Sequence, residues 1–379
     1  MTERPDAMTE RPGTMSSLDL RQAAARRWYQ WAASLRRLRE GWQIFVRNRI
    51  AVLGLVLIIM FGLFPLIHQG LRSTVWERAA IYDPIYGFDA QLAPHPAPPS
   101  WIPAEWLPLE NVHRFDQNRP SWAHPLGTDT LGRDVLSNLL ASTVTSFVVG
   151  VTAALVTAVI GITFAALSAY YRGLIDGFLT HISDAFLLLP PPIFMLAVGV
   201  YLQTERTVFT EIVYRSITGN GLSDNVKLIL EPMEFGIIYG IIAGAGGAAI
   251  VLRSHGLKVR AMSFVEASFV SGAGARHIIR KHLIPHMVPL AGVYMLVAVT
   301  GAVVSYSFLA FFGLNPNPLN WGTMIYNAFA YRGIGSSTPW FALTPPAIAI
   351  SLFAGSFYMV SRGVHQVVEP RLRPLERAE

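Results

Sequence analysis

The sequence predicts an all-α polytopic membrane protein, with six transmembrane helices and an N-terminal amphipathic helix. Three observations carry that prediction. Of 379 residues, 52% are hydrophobic and only 14% charged, where a soluble domain carries about 25% charged residues. Several apolar runs reach the roughly 20 residues that cross a bilayer. The Lys and Arg residues collect between alternate runs rather than on one face, as membrane topology demands. Cysteine is absent, which excludes disulfide and thiol chemistry.

Residues 1–17 carry MTERP twice, Met1–Pro5 and Met8–Pro12, and read as a disordered tail. No cleavable signal is expected, because the first long apolar run begins only near Ile50. Over 18–49, Trp28, Trp31, Leu35, Leu38, Trp42 and Phe45 recur at spacings of three and four, flanked by Arg26, Arg27, Arg36, Arg37 and Arg39. That stripe predicts a helix lying in the headgroup layer. A first span follows over 50–67. Residues 68–137 form a long segment rich in proline and aromatics, expected outside the membrane as ordered coil. A core of spans then fills 138–362: Thr145–Ala169, Leu179–Leu202, Phe235–Leu252, Met287–Phe312 and Phe341–Val360. Pro190, Pro191 and Pro192 remove three donors from the third span, which must kink or break there. Glycines four apart in the fourth, Gly236, Gly240 and Gly244, let a neighbouring backbone approach closely. Residues 363–379 form a polar tail.

With the N-terminus inside, 21 of the 30 Lys and Arg fall on inner segments and 9 on outer ones. The inner excess agrees with the positive-inside rule and puts both termini and the loop 254–285 in the cytoplasm. It also accounts for the net charge of +6 without nucleic acid, since the outer segments hold 13 Asp and Glu against those 9 bases.

Two stretches hold the candidate functional residues. Val265–Pro285 reads as two short helices about a Ser271–Gly274 hinge. Ile278, Ile279 and Leu283 give the second helix an apolar face and Arg276, Arg280 and Lys281 a basic one. It is either a docking element or an interfacial helix joining two spans. His124–Asp134 reads as a self-bonded corner, with Gly127 and Gly132 in tight turns, Thr128 and Asp129 as caps, and Arg133 clasped between Asp129 and Asp134. Asp184 is costly facing lipid and, near the cytoplasmic end of its helix, is expected either to snorkel or to pair with Arg172 or His181. His282 and His286 have the spacing of a metal pair, but no carboxylate or cysteine completes a site, so no metal is expected. There is no phosphate-binding GxxxxGK[ST] loop and no catalytic constellation, so the chain is not expected to act as an enzyme.

The first stretch, Glu266-Ala267-Ser268, then Gly272 and Pro285, resembles the cytoplasmic loop of ABC-importer permeases, which reads Glu-Ala-Ala, three residues, Gly, nine residues, Ile-x-Leu-Pro. It departs at Ser268, His282 and Ile284. His124–Asp134, HPLGTDTLGRD, resembles the HPLGTDxxGRD segment of the dipeptide/oligopeptide/nickel permeases, with Asn138 where that family has Arg. Phe312-Gly313-Leu314, Pro316 and Trp321-Gly322 resemble its following outer loop, and Glu369–Arg373 its closing Asp-Pro-Arg-Leu-Arg.

The resemblance runs from roughly Arg47 to Arg373 and points to the C-type membrane subunit. It implies the six-helix ABC-importer permease fold in the cell membrane. It assigns ATPase coupling to Glu266, Ala267, Ser268, Gly272, Arg276 and Pro285. It assigns an extracytoplasmic motif to His124, Gly127, Thr128, Asp129, Gly132, Arg133 and Asp134, and an outer loop to Gly313, Pro316, Trp321 and Gly322. The implied partners are a B-type permease subunit in a heterodimer, two cytoplasmic ATPase subunits that bind ATP and Mg, and an extracytoplasmic solute-binding protein. This chain itself is expected to hold no cofactor. The implied function is a pathway for di- or oligopeptides or similar small solutes. The alternative is an ATP-independent secondary transporter or channel, which predicts discontinuous helices or paired intramembrane charges in both halves.

Overall fold

The computed structural model describes residues 39–74, 80–89, 97–99, 101, 124–205, 212, 215–216, 224–314, 317–330 and 340–368. Two units are described separately. In the first, residues 39–47 are helical, and Trp42 stacks on Phe45 at 5.7 Å. These are the last two members of the predicted stripe; the rest of it lies outside the described residues, as do Pro316, the 369–379 tail and most of the long outer segments.

The second unit is a bundle of helices, with no strand among the described residues. Its elements are α1 (Arg49–Thr74), α2 (Val135–Tyr170), α3 (Leu174–Leu188), α4 (Pro191–Glu205), α5 (Asp224–Ala243), α6 (Ala249–Arg260), α7 (Ser263–Val270), α8 (Ala275–Ile278), α9 (Ile284–Phe311), α10 (Trp321–Ala330) and α11 (Trp340–Val368). Two π-helical turns, Gly244–Ala248 and Ile279–Leu283, fuse α5 to α6 and α8 to α9. Five continuous helical stretches are long and apolar enough to cross a membrane, and a bent pair, α3 with α4, makes a sixth.

α2 is the hub. It contains no proline and runs 36 residues, packing against α5, α6 and α9. The glycine spacing in α5 explains the closest of these contacts. A Cβ added at Gly236, Gly240 or Gly244 would lie within 2.9 Å of the Val149, Ala153 and Thr157 carbonyls. Lipid offers helices no hydrophobic drive to associate, so backbone-to-backbone fit takes that role. One end of the bundle is closed by a knot of rings. Fully buried Trp321 sits 5.8 Å from Phe61 and 5.5 Å from Phe353, and such pairs add about 0.5–1.5 kcal/mol each beyond their buried area.

The third predicted span is not a kinked rod. The chain bends by 87° between α3 and α4, because three consecutive prolines directly after Leu189 leave the backbone without donors to continue the helix. Its halves rest on different neighbours: α3 on the Gly244–Ala248 turn, α4 on α9. That turn holds Gly246 at φ −83, ψ −112, outside helical values. The broken helix and the kinked one therefore meet at the same level.

Candidate functional site

The segment after α6 forms a compact corner. Glu266, Ala267 and Ser268 all lie on α7. The helix ends at Ser271, and Gly272 takes φ +76, a left-handed value that favours glycine. The Ala273 N–H bonds the Ser268 carbonyl at 3.1 Å and the Gly272 N–H bonds Phe269 at 3.0 Å, the double bond of a Schellman turn. The expected hinge is thus a hydrogen-bonded corner. Beyond it, α8 does not stop before Pro285. It runs through the Ile279–Leu283 turn into α9, and Pro285, which has no N–H to give, follows directly after that π-helical turn.

The apolar face of this segment turns inward, contrary to the docking argument made from amphipathicity. Val265, Ile278 and Leu283 are fully buried against Ala165, Ala169, Leu252 and Val259. The α2 and α6 ends supply a platform of small residues that such a face fits. Arg260 ties the assembly together. Its Nη1 donates to the Ala169 and Tyr170 carbonyls at the end of α2, at 2.8 and 2.5 Å, where a cation favours the helix terminus. Its guanidinium also lies over the Tyr170 and Phe269 rings. Ser268 bonds His282 at 3.2 Å. What remains outside is Glu266, Ala267, Gly272 and Arg276, with Met262, Phe264 and Val270, the last 87% exposed. Among the described residues the Glu266 carboxylate has no side-chain partner.

At the opposite end, His124–Asp134 is closed on itself. Gly127 and Gly132 adopt φ +81 and +75, as tight turns require. His124, 2% exposed, holds Asp134 Oδ1 at 2.9 Å through Nδ1, and its Nε2 lies 3.8 Å from Asp89. Asp134 Oδ2 accepts the Ser137 N–H at 2.7 Å and so caps α2. Ser137 donates its hydroxyl proton to the Tyr82 carbonyl, so His68 Nε2 must be the donor to Ser137 Oγ. Thr128 pairs with Ala97 through both backbone and hydroxyl. The expected clasp by Arg133 is not formed. Asp129 turns its carboxylate to the Leu131 and Arg133 N–H groups at 2.9 and 2.8 Å. Asp134 is already taken by His124, and among the described residues no carboxylate forms an ion pair with the guanidinium. Burial pushes both carboxyls above the usual range, against the opposing pull of these hydrogen bonds.

The predicted outer loop is structural where it is described. Gly313, at φ +70, makes a second Schellman turn after α9. Trp321 Nε1 donates to the Leu139 carbonyl at 3.0 Å. A Cβ on Gly322 would collide with the Ser307 carbonyl at 2.0 Å, so α10 lies hard against α9. Asn320 caps α10 by accepting the Gly322 N–H at 2.7 Å.

Asp184 pairs with neither Arg172 nor His181. The ion pair of this region is Asp176 with Arg253, two parallel bonds of 2.6 and 2.7 Å, and Ser168 donates to the same carboxylate. Sequence reasoning missed Asp176–Arg253, Arg260 and His68. Their partners lie 77, about 90 and 69 positions away, and no local pattern marks them. The only trace is a pair of arginines in α6, Arg253 in its second turn and Arg260 at its end.

The family described as binding-protein-dependent transport system inner membrane component matches residues 158–374. The chain is similar to the oligopeptide transport system permease protein OppC of Haemophilus influenzae, 29% identical over 60% of this chain and 64% of that protein. It is also similar to the dipeptide transport system permease protein DppC of Bacillus subtilis, 28% identical over 60% of this chain and 62% of the relative. These matches span just under two thirds of the relatives' length. The matched family region runs from the middle of α2 through the Glu266 corner to the end of α11, and the chain belongs to this family of transport-system inner membrane components.

Proposed function

We propose that the chain is the membrane-spanning permease subunit of an ATP-binding cassette importer that passes di- or oligopeptides or similar small solutes. The observation that carries this reading is the Glu266 corner. It is held rigidly from behind by Val265, Ile278 and Leu283, and it presents an unpaired carboxylate, Arg276 and the bare Val270 side chain outward. A surface fixed from beneath and unsatisfied above suits the transmission of a partner's motion, since force on α7 passes through Arg260 to the α2 terminus. The excess of basic residues supports a cytoplasmic position for this corner and for both termini. Two ATPase subunits, binding ATP and Mg, would grip it from the cytoplasm. A B-type permease subunit would complete the pathway, and a solute-binding protein would deliver from outside. The names of the relatives support peptides as the solute class.

The test is co-purification joined to uptake. The detergent-solubilised chain should bring down an ATPase, and Glu266→Lys should abolish ATP-driven peptide uptake by the complex. If no ATPase follows the chain and uptake survives the substitution, transport without ATP becomes the better account.

A further inference from the structure

α1 turns Ile50, Leu53, Val56, Ile59 and Leu63 outward, as a helix facing lipid should. α3 differs. Its exposed surface includes Asp184, with His181 one turn before it. A carboxylate on a spanning helix is disfavoured against lipid and is found facing water or protein. Behind Asp184 lies a cavity of about 50 Å³, into which Ser168, Thr180, Ser183 and Arg253 face. Ser183 is only 4% exposed, and beside it the Thr180 hydroxyl is buried with no hydrogen-bond partner in reach among the described residues. A buried hydroxyl left open beside a cavity is uncommon and calls for a ligand or water. The one cation present is committed: Arg253 gives Nε and Nη2 to the Asp176 carboxylate. Asp184 thus leaves the cluster with one net negative charge, and its carboxylate is within neither ion-pair nor hydrogen-bond reach of a described group.

We propose that Thr180, Ser183 and Asp184, braced by the Asp176–Arg253 pair, form a station for an ammonium group on the transport route. An ammonium is about the size of a water, and a cavity of this volume accommodates roughly three. It donates three hydrogen bonds, and two hydroxyls and a carboxylate are there to accept them. The importer reading supplies the identity of the cation, the free amino group of a peptide-like solute; the station itself is argued from geometry.

The chain's lack of cysteine allows a direct test. Ser183→Cys in the assembled complex introduces this chain's sole thiol. It is labelled with cationic and anionic methanethiosulfonates of similar size, with rates normalised to a small free thiol. The cationic reagent should react about 25-fold faster than the anionic one, since one charge at a few ångströms in water attracts the first and repels the second by about fivefold each. Adding Asp184→Asn should bring the two rates level. A thiol that reacts with neither reagent, or a preference that Asp184→Asn leaves intact, overturns the station. Ala185→Cys, exposed beside Asp184, repeats the measurement should Ser183→Cys fail to assemble.

The second arm identifies the cation in the reconstituted complex. Asp184→Asn should raise the half-saturating concentration of a tripeptide about tenfold and leave that of its N-acetyl form unchanged. An equal effect on both, or a dependence on sodium in its place, overturns the assignment to the solute's amino group. A wild-type complex that shows no ATP-driven uptake overturns the importer reading instead, and the labelling ratio still decides the station.

Discussion

In the His124–Asp134 corner the carboxylates of Asp129 and Asp134 turn inward onto a ring nitrogen and backbone N–H groups. In the Glu266 corner the apolar side chains turn inward and the carboxylate stays out. The first leads into α2 and the second joins α7 to α8, and both hold glycine in left-handed backbone. Yet the first is a polar knot with its acceptors used up, and the second is an apolar anchor under an unfinished polar surface. Groups that are satisfied in place hold a shape; groups left open await a partner. The first region is therefore expected to answer to substitution through stability, and the second through coupling. Each prediction below sets one corner against the other.

The largest loss of stability is expected at Asp134→Ala. It removes the cap of α2 and leaves His124 buried without its closest partner. Breaking a buried pair costs roughly 3–5 kcal/mol, to be read as a lowered unfolding temperature of the solubilised complex. Ile278→Ala is the matching test at the other corner. It removes a fully buried anchor and should cost about 2–4 kcal/mol by opening a cavity. If it costs nothing, the corner is not held from beneath and the contrast fails. Gly272→Ala comes next. Nothing lies within 4 Å of the added Cβ, but the residue stays at φ +76, so only backbone strain of roughly 1–2 kcal/mol is at stake. Glu266→Lys should change stability by no more than about 0.5 kcal/mol, as exposed substitutions do, while uptake is lost. A large drop in stability there would show that Glu266 has a structural task.

How much of this was legible in the sequence follows from the range of each interaction. The glycines of α5 and the corner of 124–134 were readable because spacing along one helix, or within one turn, fixes the geometry. The break at Pro190 was readable for the same reason, though its 87° angle was not, since two different packing surfaces set it. Amphipathicity said that Ile278 and Leu283 share a face. It did not say whether that face meets a partner or the chain's own α2, and the answer was α2. Arg133 between two aspartates suggested a clasp. The ring of His124 and the turn's own N–H groups reached those carboxylates first, and sequence proximity does not order such competition. Arg253 and Asp176 meet only once the helices are packed.

The smallest effect sharpens the comparison by pH. Burial raises the Asp129 and Asp134 carboxyls above the ordinary value near 3.9. Between that value and the raised one, the folded chain holds a proton that the unfolded chain has released. The unfolded state then binds fewer protons, so stability falls as pH rises through the raised range and is fully present only below the ordinary value. Asp129→Asn keeps an oxygen for the Leu131 and Arg133 N–H groups and removes the titration. It should leave the unfolding temperature at neutral pH unchanged or slightly raised, and flatten part of its decline as pH rises above the ordinary carboxylate value. If Asp129→Asn leaves the decline as steep as before, burial does not hold a proton in this corner, and the contrast between the closed and the open corner loses its electrostatic side.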